Sequence, residues 1–304
     1  MASQLPRTAR KRAVSFILDN GNNLQRMRYA FHFAGGNADS VLHDLGHYQN
    51  QDGGFGHGLE QDLRTSNSSV ICTTVALQII NEVETPQQHA LIAQTMNYLE
   101  LQLQHNNWPV IVENCNDAPH APWWQFDKRW ACTDKFLANP GAEIIGYLLL
   151  YGTNLPNQAV NDLLRRAIEH LQQFDLEMHE LLSYYRLYHC KFLGENYRQL
   201  MLPLLLEQAF QLVKVEVRDW EEYGLTPLGL VDRPDSAFSE FFGESLEANF
   251  AYQISQQSEE GCWVPRWSWD GAYPATWKVV ETEIKVELTL KFLIQLRRFG
   301  LLDS

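Results

Sequence analysis

Four side chains that could supply acid–base chemistry lie close together in the first quarter of the chain. Asp52, His57, Glu60 and Asp62 fall within eleven positions of one glycine-rich turn. Paired carboxylates can act as a general acid and a general base, as they do in glycosidases and lyases. We therefore predict that these four residues form a catalytic site, with Glu60 and Asp62 as the acid and the base.

The carboxylates of this turn also suit purely structural roles. Asp52 could accept hydrogen bonds from amides of the turn, and Glu60 and Asp62 could stabilise the N-terminus of the next helix. Both interpretations remain open from the sequence. They differ in whether these carboxylates point into a ligand cavity.

Two stretches rich in tryptophan are candidate binding surfaces. A sugar-binding cleft needs flat aromatic platforms beside polar groups, and an isoprenoid pocket needs aromatic walls that can face a developing cation. A neighbouring arginine could meet a diphosphate or a carboxylate. The predicted substrate-binding residues are Trp123, Trp124, Arg129, Trp267, Trp269 and Tyr273. The alternative is that the tryptophans only fasten long loops to the rest of the fold.

The elements that position these residues are expected to be helices. Apolar residues recur at helical spacing through most of the chain, and no sustained alternation of period two occurs. Irregular stretches are expected at residues 106–139, 218–242 and 261–277. The predicted helices cover residues 8–20, 39–50, 66–83, 86–104, 141–151, 156–174, 176–192, 195–213, 244–257 and 281–299. The fold class is therefore predicted to be all-α.

A short motif recurs at the ends of three predicted helices. It reads Gln-x-x-x-Gly-x-Phe at residues 49–55, Gln-x-x-x-Asn-x-Trp at 102–108 and Gln-x-x-x-Gly-x-Trp at 257–263. Glycine or asparagine suits the left-handed conformation after a helix, glutamine can bond the exposed backbone groups, and the aromatic residue can pack over the next hairpin. The fifth residues of the three copies are Gly53, Asn106 and Gly261, which lie 53 and then 155 residues apart. The second interval is close to three times the first, which indicates a repeat of about 53 residues. This spacing predicts nearly six helical hairpins.

The motif is similar to the repeat of squalene and oxidosqualene cyclases. Residues 49–56, Gln-Asn-Gln-Asp-Gly-Gly-Phe-Gly, also resemble the Gly-Gly-Phe repeats of protein prenyltransferase β subunits. The resemblance implies an α/α toroid, with about six helical hairpins around a central cavity, as a single domain over residues 1–304. It also implies an isoprenoid or other apolar ligand. The Asp-x-Asp-Asp, Asp-Asp-x-x-Asp and Asp-x-Cys motifs of these families are absent from the sequence.

The composition restricts the possible partners. A net charge of −13 disfavours nucleic acid and anionic membranes, because both bind clustered cations. No segment approaches the roughly 20 apolar residues that a membrane helix needs. The five scattered cysteines are predicted to be reduced thiols of a cytoplasmic protein. His189 and Cys190 lack a third ligand at suitable spacing, so no metal site is predicted, and cofactor and oligomeric state stay unassigned.

Three functions remain open from the sequence. The first is an enzyme or binder of an isoprenoid or other apolar ligand in a central cavity, which the repeat motif favours. The second is a carbohydrate-active α/α-barrel enzyme, a glycoside hydrolase or lyase that uses paired carboxylates. The third is a non-catalytic scaffold that binds a protein at one end of the toroid. The first two predict a small-molecule ligand, either an isoprenoid or a saccharide.

Overall fold

The chain is built from helices joined by turns and loops. The structure, a computed structural model, describes residues 4–87, 89–127 and 135–302. Within these ranges it contains thirteen α-helices and no β-strand, which confirms the all-α prediction. The helices are α1 (Arg7–Asn20), α2 (Asn23–Phe33), α3 (Ala38–Gly46), α4 (Val70–Glu82), α5 (Ala90–Gln102), α6 (Ala138–Tyr151), α7 (Asn157–Gln173), α8 (Met178–Tyr188), α9 (Glu195–Leu212), α10 (Pro227–Leu230), α11 (Ala237–Phe241), α12 (Gly243–Ser255) and α13 (Pro274–Arg298).

The contacts within the chain divide it into two compact units. Unit 2 comprises Leu45–Leu212. Unit 1 combines both ends of the chain, Met1–Asp44 and Val213–Ser304. Unit 1 is therefore assembled from segments that are far apart in sequence. The expectation of a single domain stays a prediction.

Unit 2 consists of three consecutive helical hairpins. The hairpins are α4–α5, α6–α7 and α8–α9. Helix α6 packs against both α4 and α8, the first helices of the other two hairpins. Helix α7 packs against α9, and α5 packs against α4 and α6. Helices α6 and α8 approach closely at Gly146, where a Cβ atom would lie 3.4 Å from the Cα of Leu187. This is an ordinary van der Waals distance, so the two helices pack closely there without requiring glycine at position 146.

Unit 1 pairs the first helix of the chain with the last. Helix α13 packs against α1 and α2, and α12 packs against α10 and α11. The backbone N–H of Leu5 donates to the carbonyl of Leu301 (3.0 Å), so the segments before α1 and after α13 lie side by side. Helices α13 and α1 thus form a pair that no loop of the chain connects directly.

Helix α2 is not predicted by the periodicity of apolar residues. Its buried face includes Gln25 and Arg28 beside Leu24. The side-chain amide of Gln25 donates to the carbonyl of Glu283 (2.9 Å), and Arg28 forms an ion pair with Glu287 (2.7 Å). Because α2 buries polar side chains that bond to α13, its sequence lacks the apolar stripe by which a helix is predicted.

All three of the stretches predicted to be irregular contain helical segments, and residues 106–139 include the short 3-10 segments Glu113–Asp117 and Pro122–Trp124. The short helices α10 and α11 lie within residues 218–242. Helix α13 begins at Pro274, seven positions before the predicted start at Glu281. Proline is favoured in the first turn of a helix, because the N–H group that it lacks would have no helical partner there.

The Gln49 turn, from Gln49 to Phe55, bonds to both helices of the hairpin that follows it. The side-chain amide of Gln49 donates to the carbonyls of Gly53 (3.0 Å) and of Leu91 in α5 (3.3 Å). The backbone N–H of Phe55 donates to the hydroxyl of Thr73 in α4 (3.1 Å). The turn therefore fastens α4 and α5 at one end of unit 2.

The Gln257 turn, from Gln257 to Trp263, makes the same set of contacts in unit 1. The side-chain amide of Gln257 donates to the carbonyls of Gly261 and of Ala9 in α1, both at 2.9 Å. The backbone N–H of Trp263 donates to the hydroxyl of Thr289 in α13 (3.2 Å). Helices α13 and α1 thus stand to this turn as α4 and α5 stand to the Gln49 turn.

The glycine of each turn is required for two reasons. Gly53 and Gly261 have φ angles of 88° and 95°, in the region that disfavours residues with a side chain. A Cβ atom on Gly53 would lie 2.3 Å from the carbonyl oxygen of Gln94 in α5. On Gly261 it would lie 2.6 Å from the backbone carbonyl carbon of Arg12 in α1. Glycine therefore permits both the conformation and the close approach to the helix.

The predicted third copy of the motif forms a shorter turn. The backbone N–H of Gln104 donates to the carbonyl of Asn107, three positions on, whereas the N–H of Asn50 in the Gln49 turn donates to the carbonyl of Gly54, four positions on (2.8 Å each). Leu103, not Gln102, therefore takes the position of the anchoring glutamine. The sequence alignment at Gln102 is shifted by one residue relative to the structure.

The tryptophans of the motif keep a common role. The indole Nε1 of Trp108 donates to the carbonyl of Leu99 in α5 (2.8 Å), and that of Trp263 donates to the carbonyl of Gln253 in α12 (2.7 Å). Both rings are buried. Each tryptophan therefore packs back against the helix that precedes its turn, and it satisfies a backbone carbonyl there.

Candidate functional site

Two predicted motifs that lie about sixty positions apart meet in unit 2. The backbone N–H of Arg64 donates to the carbonyl of Pro119 (3.0 Å), and that of Ala121 donates to the carbonyl of Asp62 (2.8 Å). A single helical turn, Pro122–Trp124, follows at once. This pairing places the acidic segment beside the turn that carries the two tryptophans.

Asp62 and Glu60 occupy different environments in this pairing. Asp62 is buried, whereas Glu60 is half-buried. Burial raises the pKa of the Cys72 thiol to about 12, and the nearby negative charge of Glu60 also raises it. Since Cys72 belongs to the first turn of α4, Glu60 lies near the N-terminus of that helix. Both residues take part in further interactions, so these positions suit the structural role as well as the catalytic one.

Asp52 and His57 hold the turn together. The carboxylate of Asp52 accepts hydrogen bonds from the N–H of Gly54 (2.9 Å) and the hydroxyl of Ser68 (2.8 Å). The Nε2 atom of His57 lies 2.9 Å from the side-chain oxygen of Asn50, and the His57 backbone is left-handed with φ of 56°. The contacts of Asp52 are those that the structural interpretation expects.

His120 is a further candidate that sequence reasoning did not identify. Its buried ring lies between the carbonyl of Ala118, 2.7 Å from Nδ1, and the side-chain oxygen of Gln125, 3.0 Å from Nε2. A neutral imidazole donates from one nitrogen only. The neutral ring therefore donates to one of these two oxygens and links residues 118 and 125 of the loop. Nothing in the sequence around His120 indicates that its side chain is buried and hydrogen-bonded.

The first tryptophan stretch is partly exposed. The side chain of Trp123 is 41% exposed, and that of Trp124 is half-buried. The side chain of Asn116 fixes the end of this stretch, because its oxygen accepts from the N–H of Phe126 (2.7 Å) and its amide donates to the Phe126 carbonyl (3.2 Å). Arg129 lies outside the described residues.

The second tryptophan stretch, in unit 1, contains one core residue and two more exposed ones. Trp269 is fully buried, and its ring lies 5.7 Å from that of Trp277 and 6.3 Å from that of Tyr273. Tyr273 is exposed, and Trp267 is half-buried with its ring edge-on to Tyr223. Trp269 thus has the role of a core side chain, and Tyr273 and Trp267 remain candidates for ligand contact.

A polar cluster that the sequence did not indicate joins α4, α6 and α8. Glu143 is 2% exposed, and its carboxylate accepts from the hydroxyl of Tyr147 (2.9 Å), the amide of Gln78 (2.8 Å) and the guanidinium of Arg186 (2.8 Å). Its only signal in the sequence is a single charge in an apolar helix. A buried charge is costly unless it is paired and hydrogen-bonded, as Glu143 is. We refer to these four residues as the Glu143 cluster.

Burial also affects the donors of the Glu143 cluster. The pKa of Tyr147 is raised well above its usual value by burial and then by the charge of Glu143. Tyr147 therefore stays a phenol that donates to the carboxylate. The side chain of Arg186 is 37% exposed, whereas that of Glu143 is buried, so Arg186 is the charged residue of the cluster that solvent reaches.

The described part of the chain offers no group of three or more histidine, cysteine, aspartate or glutamate side chains that could hold a metal ion. None of its helices combines the length and the apolar character that a membrane span requires. No protein-family model matches the chain, and no curated protein matches it.

Proposed function

We propose that the protein is an α/α toroid that binds an isoprenoid or other apolar ligand and acts on it at the site around Asp62. The observation that carries this proposal is the backbone pairing of residues 62–64 with residues 119–121. It brings the buried Asp62 and the half-buried Glu60 next to the turn that contains Trp123 and Trp124. A proton donor and aromatic faces are the groups that chemistry on an isoprenoid requires.

The toroid is supported by the repetition of one set of contacts. The Gln49 turn and the Gln257 turn bond in the same way to a pair of packed helices, one pair in each unit. Unit 2 adds three consecutive hairpins, and α13 pairs with α1 although these are the last and first helices. A ring of hairpins has both properties, since its last hairpin must meet its first.

The chemistry assigns different roles to the acids and the indoles. A carboxylic acid shielded from water can protonate a ligand, since burial favours its neutral form. The positive charge that then develops on a hydrocarbon is stabilised by the electron-rich face of an aromatic ring. The buried Asp62 would supply the proton, and Trp123 and Trp124 would face the cation.

A carbohydrate-active enzyme is the second candidate, and the exposure of Trp123 favours it. A half-exposed indole can stack on a sugar ring, and the same two acids could act as general acid and base. The two candidates share their residues but differ in ligand. A ligand screen therefore separates them.

The test is a thermal-shift screen with geraniol, farnesol and farnesyl diphosphate in one set, and cello-, xylo- and malto-oligosaccharides in the other. A ligand at about 100 times its Kd stabilises the folded state by about 2.7 kcal/mol. We expect stabilisation by the isoprenoid set. The variants D62N and W123A should weaken it, whereas D162N and F210A, which change an exposed acid and an exposed aromatic residue elsewhere, should not.

Each outcome decides between the candidates. Stabilisation by an oligosaccharide alone, lost in W123A, would replace the isoprenoid proposal with the saccharide candidate. Stabilisation by isoprenoids that is unchanged in both D62N and W123A would refute the assignment of the site. Failure of both ligand sets would refute both candidates.

A further inference from the structure

The Glu143 cluster needs an explanation beyond stability. Glu143 and Arg186 are buried and half-buried charges on packed helices, and removing charges from water costs free energy that apolar side chains of similar volume would not lose. An ion pair in such a place is weak evidence for stabilisation of the fold. A role in ligand binding gives a reason for its presence.

Arg186 lies on the side of α8 that faces away from α7. Tyr184, two positions earlier, donates its hydroxyl to the carbonyl of Ala167 in α7 (2.7 Å). Two residues correspond to a rotation of about 200° around a helix, so Arg186 projects from the opposite side. Its side chain is partly exposed there. A small molecule approaching that face would meet the guanidinium.

Glu143 holds the guanidinium in one orientation. One carboxylate oxygen accepts from Nη1 of Arg186, and the other is fixed by Tyr147 and Gln78. Three helices therefore position one planar group before any ligand arrives. A side chain that is already ordered loses less conformational entropy on binding than a mobile one does.

The charge of the Glu143 cluster indicates which ligand group it suits. The guanidinium contributes one positive charge and the carboxylate contributes one negative charge. Such a balance suits a single negative charge better than the multiple charges of a diphosphate. A carboxylate matches the planar guanidinium, which can donate two parallel hydrogen bonds to it.

We propose that Arg186 binds the carboxylate of an apolar carboxylic acid, with Glu143 as its positioning residue. Gln78 of the cluster belongs to α4, the helix whose first turn lies near Glu60. The inference rests on the proposed function only for the apolar tail of the ligand.

The experiment compares three ligands with one C10 tail and different head groups: geraniol, geranic acid and geranyl diphosphate. Octanoate serves as a carboxylate without an isoprenoid tail. Kd values are measured by calorimetry at about 0.15 M ionic strength, where surface charges are screened. The proteins are the wild type, R186K, the double variant E143Q/R186M and the control R165M, which removes an exposed arginine from α7.

The double variant protects the test from misfolding, because glutamine at position 143 keeps hydrogen-bonding groups without leaving an unpaired charge. We expect the wild type to bind geranic acid about 10- to 100-fold more tightly than geraniol. R186K should reduce this preference, because it keeps the charge but loses the planar pair of donors. E143Q/R186M should abolish it, and R165M should retain it.

The outcomes separate this inference from the proposed function. Equal binding of acid and alcohol by the wild type, or a preference for the acid that survives in E143Q/R186M, would overturn the role of Arg186 while leaving isoprenoid binding intact. Tighter binding of the diphosphate through Arg186 would overturn the choice of a carboxylate. Binding of octanoate through Arg186 without binding of geraniol would support the inference and refute the isoprenoid function. Failure of all four ligands would refute both.

Discussion

Replacing Gln49 with alanine should destabilise unit 2, whereas the same change at Gln102 should not. The Gln49 amide donates to the carbonyls of Gly53 and Leu91 and to the hydroxyl of Thr95, at 3.0, 3.3 and 3.2 Å. Its two N–H groups can satisfy two of these acceptors well at any time, and each bond contributes about 0.5–1.5 kcal/mol. We therefore expect the free energy of unfolding to fall by about 2 kcal/mol.

Calorimetry or circular dichroism during heating measures this loss. About 2 kcal/mol corresponds to a decrease in Tm of about 4–8 °C for a unit of this size. Gln102 is a matched control in the same unit, because it lies one position away from the anchoring place in its own, shorter turn. Q102A should change the stability by less than about 0.5 kcal/mol. An equal decrease in the two variants would show that the glutamine amide does not anchor the turn.

Three further predictions use single substitutions. G261A should lower the urea midpoint of unfolding more than G271A. Both glycines have positive φ, so alanine at Gly271 should cost about 1 kcal/mol, but only at Gly261 would the added Cβ atom also meet the backbone of α1. Equal effects of the two substitutions would contradict this close approach. Burial lowers the pKa of His170 to about 4, so the unfolded state binds more protons between about pH 6.5 and pH 4 and stability falls as pH falls through that window. The loss should reach about 3 kcal/mol, and H170Q should show a smaller fall in Tm with pH than the wild type; parallel curves would exclude this cause. E143A should lower the free energy of unfolding by about 3 kcal/mol, because Arg186 loses its buried partner, and E143Q should lower it by less in the same melting experiment. Equal losses in the two variants would show that the charge of Glu143 does not affect stability.

The local parts of the fold could be predicted from the sequence, because their signals lie within a few residues. The spacing of Gln49, Gly53 and Phe55 identifies a turn after a helix, and the same spacing identifies the Gln257 turn. Helical periodicity identifies α4, which is buried almost all round. In each case the residues that form the contact are close enough in sequence to define a pattern.

The long-range parts could not be predicted, because their partners are distant and their patterns are irregular. Asp62 and Trp123 were both candidates, but no periodicity indicates that residues 62–64 pair with residues 119–121. Glu143 and Arg186 lie 43 positions apart on different helices. The third copy of the motif failed for another reason: a deletion of one residue in the turn moves Leu103 into the place where spacing had put Gln102.

The Gln49 turn and the Gln257 turn make the same kind of contact with helices that lie at very different distances along the chain. Gln49 reaches Leu91 across 42 positions, whereas Gln257 reaches Ala9 across 248. The hydrogen bonds are nevertheless equivalent, and in both cases the glycine meets the backbone three residues farther along the same helix. The motif therefore specifies a surface that accepts a helix in a fixed register, and it does so whether that helix follows next in the chain or belongs to its opposite end. Because the free energy of closing a loop grows only with the logarithm of its length, a separation of 248 positions costs about 1.6 kcal/mol more than one of 42 positions. A motif of seven residues can thus indicate where a helical pair is fastened without indicating which part of the chain supplies the second helix.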